Sequence, residues 1–163
     1  MTLAEFWLWL ENLPLALRIG ESWWFPLLES LHVVAITFVV GAILMVDLRL
    51  LNLAARRYSV SRIAGELVPW TWGAFVISVL TGAGLFITRA EHYAGNAAFQ
   101  IKIILLVLAG INMAALHFIA FRNVAKWDTA VPTTSAARIA GAASLLLWMG
   151  VMLAGRWIGH LTR

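Results

Sequence analysis

The stretch SLHVVAITFVVGAILMVDLRLL, Ser30–Leu51, decides the fold because it is the centre of an apolar segment that runs from about Trp23 to Leu53. Three more such segments follow, at about Val68–Thr88, Phe99–Phe121 and Ala136–Ile158. Each reaches or exceeds the roughly 20 residues that an α-helix needs to cross the hydrocarbon core of a bilayer. None alternates between apolar and polar residues as a barrel strand would. The sequence therefore predicts an all-α fold, an integral membrane four-helix bundle.

The composition agrees with a membrane location. Of the 163 residues, 62% are hydrophobic and 12% are charged, whereas soluble domains carry about 25% charged residues. The chain has no cysteine, which excludes disulfides and thiolate metal sites. Its net charge of +4 comes from basic residues near the segment ends, where membrane topology places them. A nucleic-acid partner is therefore not expected, and the lipid bilayer is the expected surrounding.

The first 21 residues differ from the four segments. Apolar side chains recur there at helical spacing, at Leu3, Phe6, Trp7, Leu10, Leu13 and Leu17. We predict an N-terminal amphipathic surface helix over residues 1–21, kinked or divided by Pro14. Packing of this helix against the bundle is an equally good interpretation. A four-transmembrane-helix domain over residues 22–163 follows, with Pro69 beginning its second span and Thr133, Thr134 or Ser135 capping its fourth.

Basic residues are unevenly divided between the two sides of the predicted bundle. The links after the first and third spans hold seven bases against three acids, and the opposite side, where Lys102 is counted, holds five of each. The seven bases are Arg49, Arg56, Arg57, Arg62, Arg122, Lys126 and Arg138. Because basic excess marks the cytoplasmic side, we expect a bacterial inner-membrane protein with both termini in the periplasm.

Ionisable and polar residues inside a bilayer are costly, and they are therefore candidates for function. The spans contain Glu29, His32, Asp47, Asn112, His117, Arg156 and His160, and His92 lies just past the second span. At 1.5 Å per helical residue, His32 lies about 25 Å from the cytoplasmic end, and His117 only about 7–8 Å from it. We therefore expect His32 in the outer half of the membrane with His92 and His160, and His117 in the inner half.

Histidine is the common axial ligand of b-type haem, and helix bundles hold cofactors between facing helices. We predict His32 as one haem ligand, His92 or His160 as the other, and Arg156 as a partner of the haem propionates. A non-haem metal held by the histidines is an alternative, with His117 at a separate inner site. In a third interpretation no cofactor binds, and the glycines of the spans only allow close packing.

The other polar residues of the spans also have more than one interpretation. Asp47 either pairs with a nearby arginine such as Arg49 or exchanges protons with His117, with Asn112 as a neighbour. Glu29 lies three residues before His32 on one helix face, so that it either relays a proton or orients the imidazole.

Three stretches resemble an uncharacterised family of small bacterial four-helix inner-membrane proteins. They are the opening run, FQIKIILLVLAGINMAALHF (Phe99–Phe118) and ARIAGAASLLLWMGVMLAGRWIGH (Ala137–His160). The likeness covers most of the chain. The LH, VG and DLR elements of the first span also resemble, more distantly, copper-resistance D type proteins and other cytochrome-b-like bundles, which implies a functional His32.

These observations favour a membrane-embedded cytochrome b-like or redox-accessory subunit that holds haem b and passes electrons between quinone and a periplasmic partner. A small proton- or metal-ion-conducting transporter component is the alternative. A cofactor-free structural subunit of a membrane complex is the third interpretation. A membrane or periplasmic protein partner, or a second copy of the chain, is expected in each case.

Overall fold

The structure, a computed structural model, describes residues 2–120, 124, 126–129 and 132–160. Phe121, Arg122 and Arg163, which the sequence analysis used for a span and for the charge balance, lie outside these ranges. The helices are α1 (Leu3–Glu11), α2 (Pro14–Gly20), α3 (Trp24–Leu50), α4 (Val60–Ile87), α5 (Ala90–Gly95), α6 (Ala97–Ala115) and α7 (Ser135–Ile158). α6 continues as a π-helix over Leu116–Ala120. No residue in the described ranges is in a β-strand, and the predicted all-α fold is confirmed.

Four of these helices are long and apolar enough to cross a membrane: α3, α4, α6 with its π-helical continuation, and α7. Their outer faces consist of large apolar side chains, and Val34, Leu80 and Ile139 are each at least two-thirds exposed. Contiguous apolar surface of this extent is suited to lipid and not to water. The four predicted apolar helices are confirmed, and the architecture is compatible with a multi-pass membrane protein.

The prediction that Pro69 begins the second span is wrong. α4 begins nine residues earlier, at Val60, and its N-cap Ser59 accepts a hydrogen bond from the Arg62 amide. Pro69 lies inside the helix, where it cannot donate to the carbonyl of Gly65 four residues before it. The prediction for the fourth span is confirmed, because Thr134 caps α7 by accepting from the Ala137 amide.

Glycines set the closest approaches between the spans. α3 packs against both α4 and α7, and α7 packs against α6. A Cβ at Gly141 of α7 would lie 3.1 Å from the Cβ of Leu50 on α3, and a Cβ at Gly150 would lie 2.9 Å from the side chain of Leu105 on α6. Small residues at these points let the helix backbones come together, as in membrane bundles generally.

The end of the bundle where α3 starts and α7 ends is called the termini end here. α1 and α2 pack on it and are separated at Pro14, which confirms the predicted division. The ring of Trp7 meets Phe86 of α4 edge-on at 5.7 Å, while Leu3 and Trp9 remain exposed. α1 is therefore a helix packed against the bundle, and its position in the membrane interface stays a prediction.

The opposite end, called the loop end, is tied together by polar contacts. α3 stops at a left-handed residue, Asn52 (φ 60°), whose side chain bonds to the hydroxyl and amide of Thr133. The carboxylate of Asp128 accepts bonds from the amide and hydroxyl of Ser61, at 2.7 and 2.6 Å. Slight burial tends to raise the pKa of Asp128, but these hydrogen bonds outweigh it and hold the pKa below its ordinary value.

Candidate functional site

The imidazole of His32 is held between α3 and α4. Its Nδ1 lies 2.8 Å from the carbonyl oxygen of Ser78 and 3.1 Å from the hydroxyl oxygen of Thr81. A carbonyl can only accept, so Nδ1 carries the proton, and in the neutral ring Nε2 keeps its lone pair. A ring N–H anchored on a backbone carbonyl, with the second nitrogen available, is how metal-ligating histidines are oriented.

Gly82 makes room for this ring. A Cβ at position 82 would lie 2.8 Å from Cε1 of His32 and 3.3 Å from Nδ1. Any side chain at this position would therefore collide with the imidazole. The hydrogen bonds to α4 and the missing side chain together define one position for His32.

Lys102 of α6 lies at the same level of the bundle as His32. The rings of Phe86 and Phe99 stack at 5.3 Å and fix the relative height of α4 and α6. Counting inward from that pair, Gly82 is about 6 Å deeper and Lys102 about 4.5 Å deeper.

α7 completes this level through Gly155. The Cδ, Cε and Nζ atoms of Lys102 all lie 3.9 Å from the position of a Cβ at Gly155. Beside this contact, the amide of Asn96 donates to the carbonyl of Ile158 at 3.3 Å and joins the start of α6 to the end of α7. Residues of all four spans thus lie near one level of the bundle, and they are called the His32 layer: His32, Ser78, Thr81, Gly82, Lys102 and Gly155.

A second polar group lies near the loop end and is centred on Asp47. This carboxyl group is 3% exposed, and its hydrogen-bond partner is the hydroxyl of Ser144 on α7. The other oxygen, Oδ2, is buried without a partner among the described residues. Gly141 allows the approach, because a Cβ there would lie 3.4 Å from the Asp47 carbonyl oxygen.

The interpretation in which Asp47 pairs with Arg49 is wrong. The Arg49 guanidinium turns to the loops, where Nε donates to the Tyr58 carbonyl at 2.8 Å and Nη2 to the Asp128 carbonyl at 3.3 Å. Backbone carbonyls at the loop end thus accept hydrogen bonds from two of the three guanidinium nitrogens. Its charge is not neutralised by Asp47, two residues before it on α3.

Asn112 and His117 lie on α6 and its continuation. The Asn112 amide donates to the Ala140 carbonyl of α7 at 3.0 Å, next to the Gly141 that faces Asp47. His117 lies in the π-helical segment and is exposed, whereas Asp47 is buried. The hydrogen bond of Asn112 joins α6 to α7, and a role of Asn112 beside Asp47 and His117 stays a prediction.

His92, His160 and Arg156 are exposed at the termini end. His92 lies on α5 in a shallow surface pocket with Glu11, Arg89 and Glu91. His160 shares another pocket with Arg156, Trp157 and Gly159. Across the described ranges, no three His, Asp or Glu side chains are grouped so that they could hold a metal ion. The metal-binding set predicted from the four histidines therefore has no structural support.

Glu29 is exposed and makes no hydrogen bond to His32. The imidazole bonds to α4 instead, and Glu29 acts electrostatically on Tyr93 of α5. The ring is therefore oriented by Ser78 and Thr81 and not by Glu29. The sequence analysis did not identify these two residues.

A family model covers most of the chain. The model of a family of unknown function, DUF6644, matches residues 21–161. The chain belongs to the DUF6644 family. No curated protein and no solved structure matches it. The expectation of an uncharacterised family is thereby confirmed, while the comparisons give no support to the distant resemblance to copper-resistance D type or cytochrome-b-like proteins.

The two polar groups of this DUF6644 protein are far apart. His32 and Asp47 are 15 residues apart on α3, which corresponds to about 22 Å along the helix. The buried residues of α3 between them are Ala35, Val39 and Ala42, all apolar. The groups are therefore separate sites, without a polar connection along the buried face of α3.

Lys102 is a further residue of the His32 layer of this DUF6644 protein that sequence reasoning missed. The charge balance counted it only as a base of the outer side. Its position six residues after Asn96, the N-cap of α6, was the available signal, since it places a lysine about 9 Å inside a span. Charged residues at such depth are functional candidates by default.

Proposed function

We propose that this chain is a cytochrome b-like membrane subunit that binds haem b through His32 and passes electrons between quinone and a periplasmic partner protein. The observation that supports the proposal is the orientation of His32. Its Nδ1–H is fixed on the Ser78 carbonyl, so that Nε2 is the nitrogen that can ligate iron. An exposed histidine without such an anchor would have to be ordered before it could bind a metal.

The residues present fit an axial haem ligand by their donor chemistry. The chain supplies an imidazole whose Nδ1–H group is anchored on the Ser78 carbonyl, so that Nε2 is the donor atom toward iron. A bound haem would supply one-electron transfer. The predicted second ligand is His92 or His160, because both are exposed at the termini end, the end that is nearer to His32.

The experiment is the absorption spectrum of the protein expressed with ample haem and purified in mild detergent. The wild type should show Soret and α bands of low-spin haem. His32→Ala should lose the haem or change it to high spin. His117→Ala is the matched control, since His117 lies in the half of the bundle near the loop end, and its spectrum should equal that of the wild type. An unchanged low-spin spectrum in His32→Ala would contradict the ligand assignment.

A second candidate function, movement of protons or metal ions, is favoured by one observation. Asp47 is a buried carboxyl group with an oxygen that has no partner in the described structure. The apolar stretch of α3 between Asp47 and His32 argues against a continuous path through one copy of the chain. If this second function is correct, purified protein in liposomes should carry protons or a divalent metal. Asp47→Asn should abolish the flux, while Asn112→Ala retains it.

A further inference from the structure

Lys102 is a cation inside a membrane span that has no hydrogen bond or ion pair with any described residue. The residue is half-buried, and its Cδ, Cε and Nζ atoms lie beside Gly155 of α7, which carries no side chain. Inside an apolar span, a cation without a counter-charge among the described residues is unfavourable. The position therefore suits an anion that the protein chain itself does not provide.

The depth of the ammonium differs from that of the imidazole. The backbone of Lys102 lies about 7.5 Å from the start of α6. Its side chain lies against Gly155, which is only about 4.5 Å from the end of α7. Gly82, against which the His32 ring lies, is about 7.5 Å from the end of α4. Because side chains on an α-helix lean toward its N-terminus, which for α6 is the termini end, the Lys102 ammonium lies nearer to that end than the His32 imidazole.

We propose that Lys102 binds the carboxylate of an amphiphilic ligand whose apolar body reaches the His32 layer. One ammonium neutralises one negative charge, which a single carboxylate supplies. An acid group near the surface and an apolar body deeper in the bundle match the order of the two residues. Arg156, which the sequence analysis assigned to the haem propionates, is exposed outside this layer.

A carboxylate on a large apolar body can come from two sources. One is the propionate of haem, and this case rests on the function proposed above. The other is a fatty acid from the surrounding membrane, which needs no haem. Both are acids with a large apolar body, and both are neutralised by esterification. Each acid and its ester therefore form a pair of probes that differ only in the charge that Lys102 would bind.

The test measures binding of haemin, haemin dimethyl ester, cis-parinaric acid and its methyl ester to the purified protein in a neutral detergent. At least one acid should bind the wild type about tenfold more tightly than its ester, because a hydrogen bond to a charged group is lost in the ester. Lys102→Met should reduce the affinity for that acid by the same factor and leave the ester unchanged. Lys102→Arg should retain most of the affinity.

Arg156→Met is the matched control, since it removes an exposed cation next to Gly155 and should not change acid binding. Equal effects of Arg156→Met and Lys102→Met would overturn the proposal, as would equal binding of acids and esters. The comparison of acid and ester on the wild type needs no variant, so that it decides the matter even if Lys102→Met fails to fold.

The outcomes also separate this proposal from the function proposed above. Haemin and its ester binding equally through His32 would leave the function standing and overturn the role of Lys102. Parinaric acid binding that depends on Lys102, in a protein that binds no haemin, would leave the role of Lys102 standing and overturn the haem proposal. Absence of binding by both acids would overturn the role of Lys102.

Discussion

Replacing Gly82 by alanine tests whether the His32 ring is held where the structure places it. The new Cβ would lie 2.8 Å from Cε1 of the imidazole and 3.3 Å from Nδ1. Because Nδ1 is bonded to the Ser78 carbonyl, the ring cannot move aside and keep that bond. Either α3 and α4 separate slightly, or His32 leaves its anchor.

The expected loss of stability follows from three contributions. An interhelical hydrogen bond inside a membrane protein contributes about 0.6 kcal/mol, with a maximum of about 1.7. Overpacking costs about 1–3 kcal/mol. Alanine returns up to about 1 kcal/mol through its better helix propensity. The net destabilisation should therefore be about 0.6–2.6 kcal/mol.

The assay is unfolding by sodium dodecyl sulfate in mixed micelles, followed by helical circular dichroism. Gly73→Ala is the control, because Gly73 lies on the same helix and a Cβ there would meet nothing within 4 Å. Gly82→Ala should unfold at a lower detergent fraction than the wild type, and Gly73→Ala should not. Equal stability of the two variants would refute the described packing of His32.

The loop end, the α6–α7 contact and the orientation give further expected outcomes. Despite slight burial, hydrogen bonds from Ser61 keep the pKa of Asp128 below 3.8. The stability that these hydrogen bonds contribute is therefore present above pH 3.8 and is lost as the pH falls through the lower pKa of the folded state. Acid titration of unfolding should reveal this loss in the wild type and not in Asp128→Asn. Asn112→Ala should destabilise the bundle by about 0.6 kcal/mol, since it removes one bond between spans. Arg56→Cys should react with an impermeant thiol reagent in inverted vesicles, and reaction in intact cells would reverse the predicted orientation.

The spans could be predicted from the sequence because hydrophobic length alone determines them. Predicted and observed ends of α3 and α7 differ by at most a few residues, since those helices end at polar or capping residues. α4 differed more, because Pro69 resembled a start signal while Ser59 provided the actual cap. A proline inside a span is tolerated where neighbouring groups satisfy the freed carbonyl.

The candidate site could be predicted only in part. The cost of polar groups in lipid identified His32, Asp47 and Asn112, all of which bond to another span. The sequence does not encode which atom on another helix receives each bond. The pairing of Asp47 with Arg49 was therefore wrong, because the carbonyls of the loops satisfy the guanidinium. Lys102 was missed because the charge balance treats every base near a span end as an interfacial residue.

The central claim, that His32 is a ligand held ready by α4, is tested most directly by the absorption spectra of the wild type and of His32→Ala after expression with ample haem. The account predicts low-spin Soret and α bands in the wild type and their loss or change to high spin in His32→Ala. A colourless wild-type protein, or the same low-spin spectrum in both proteins, would contradict it.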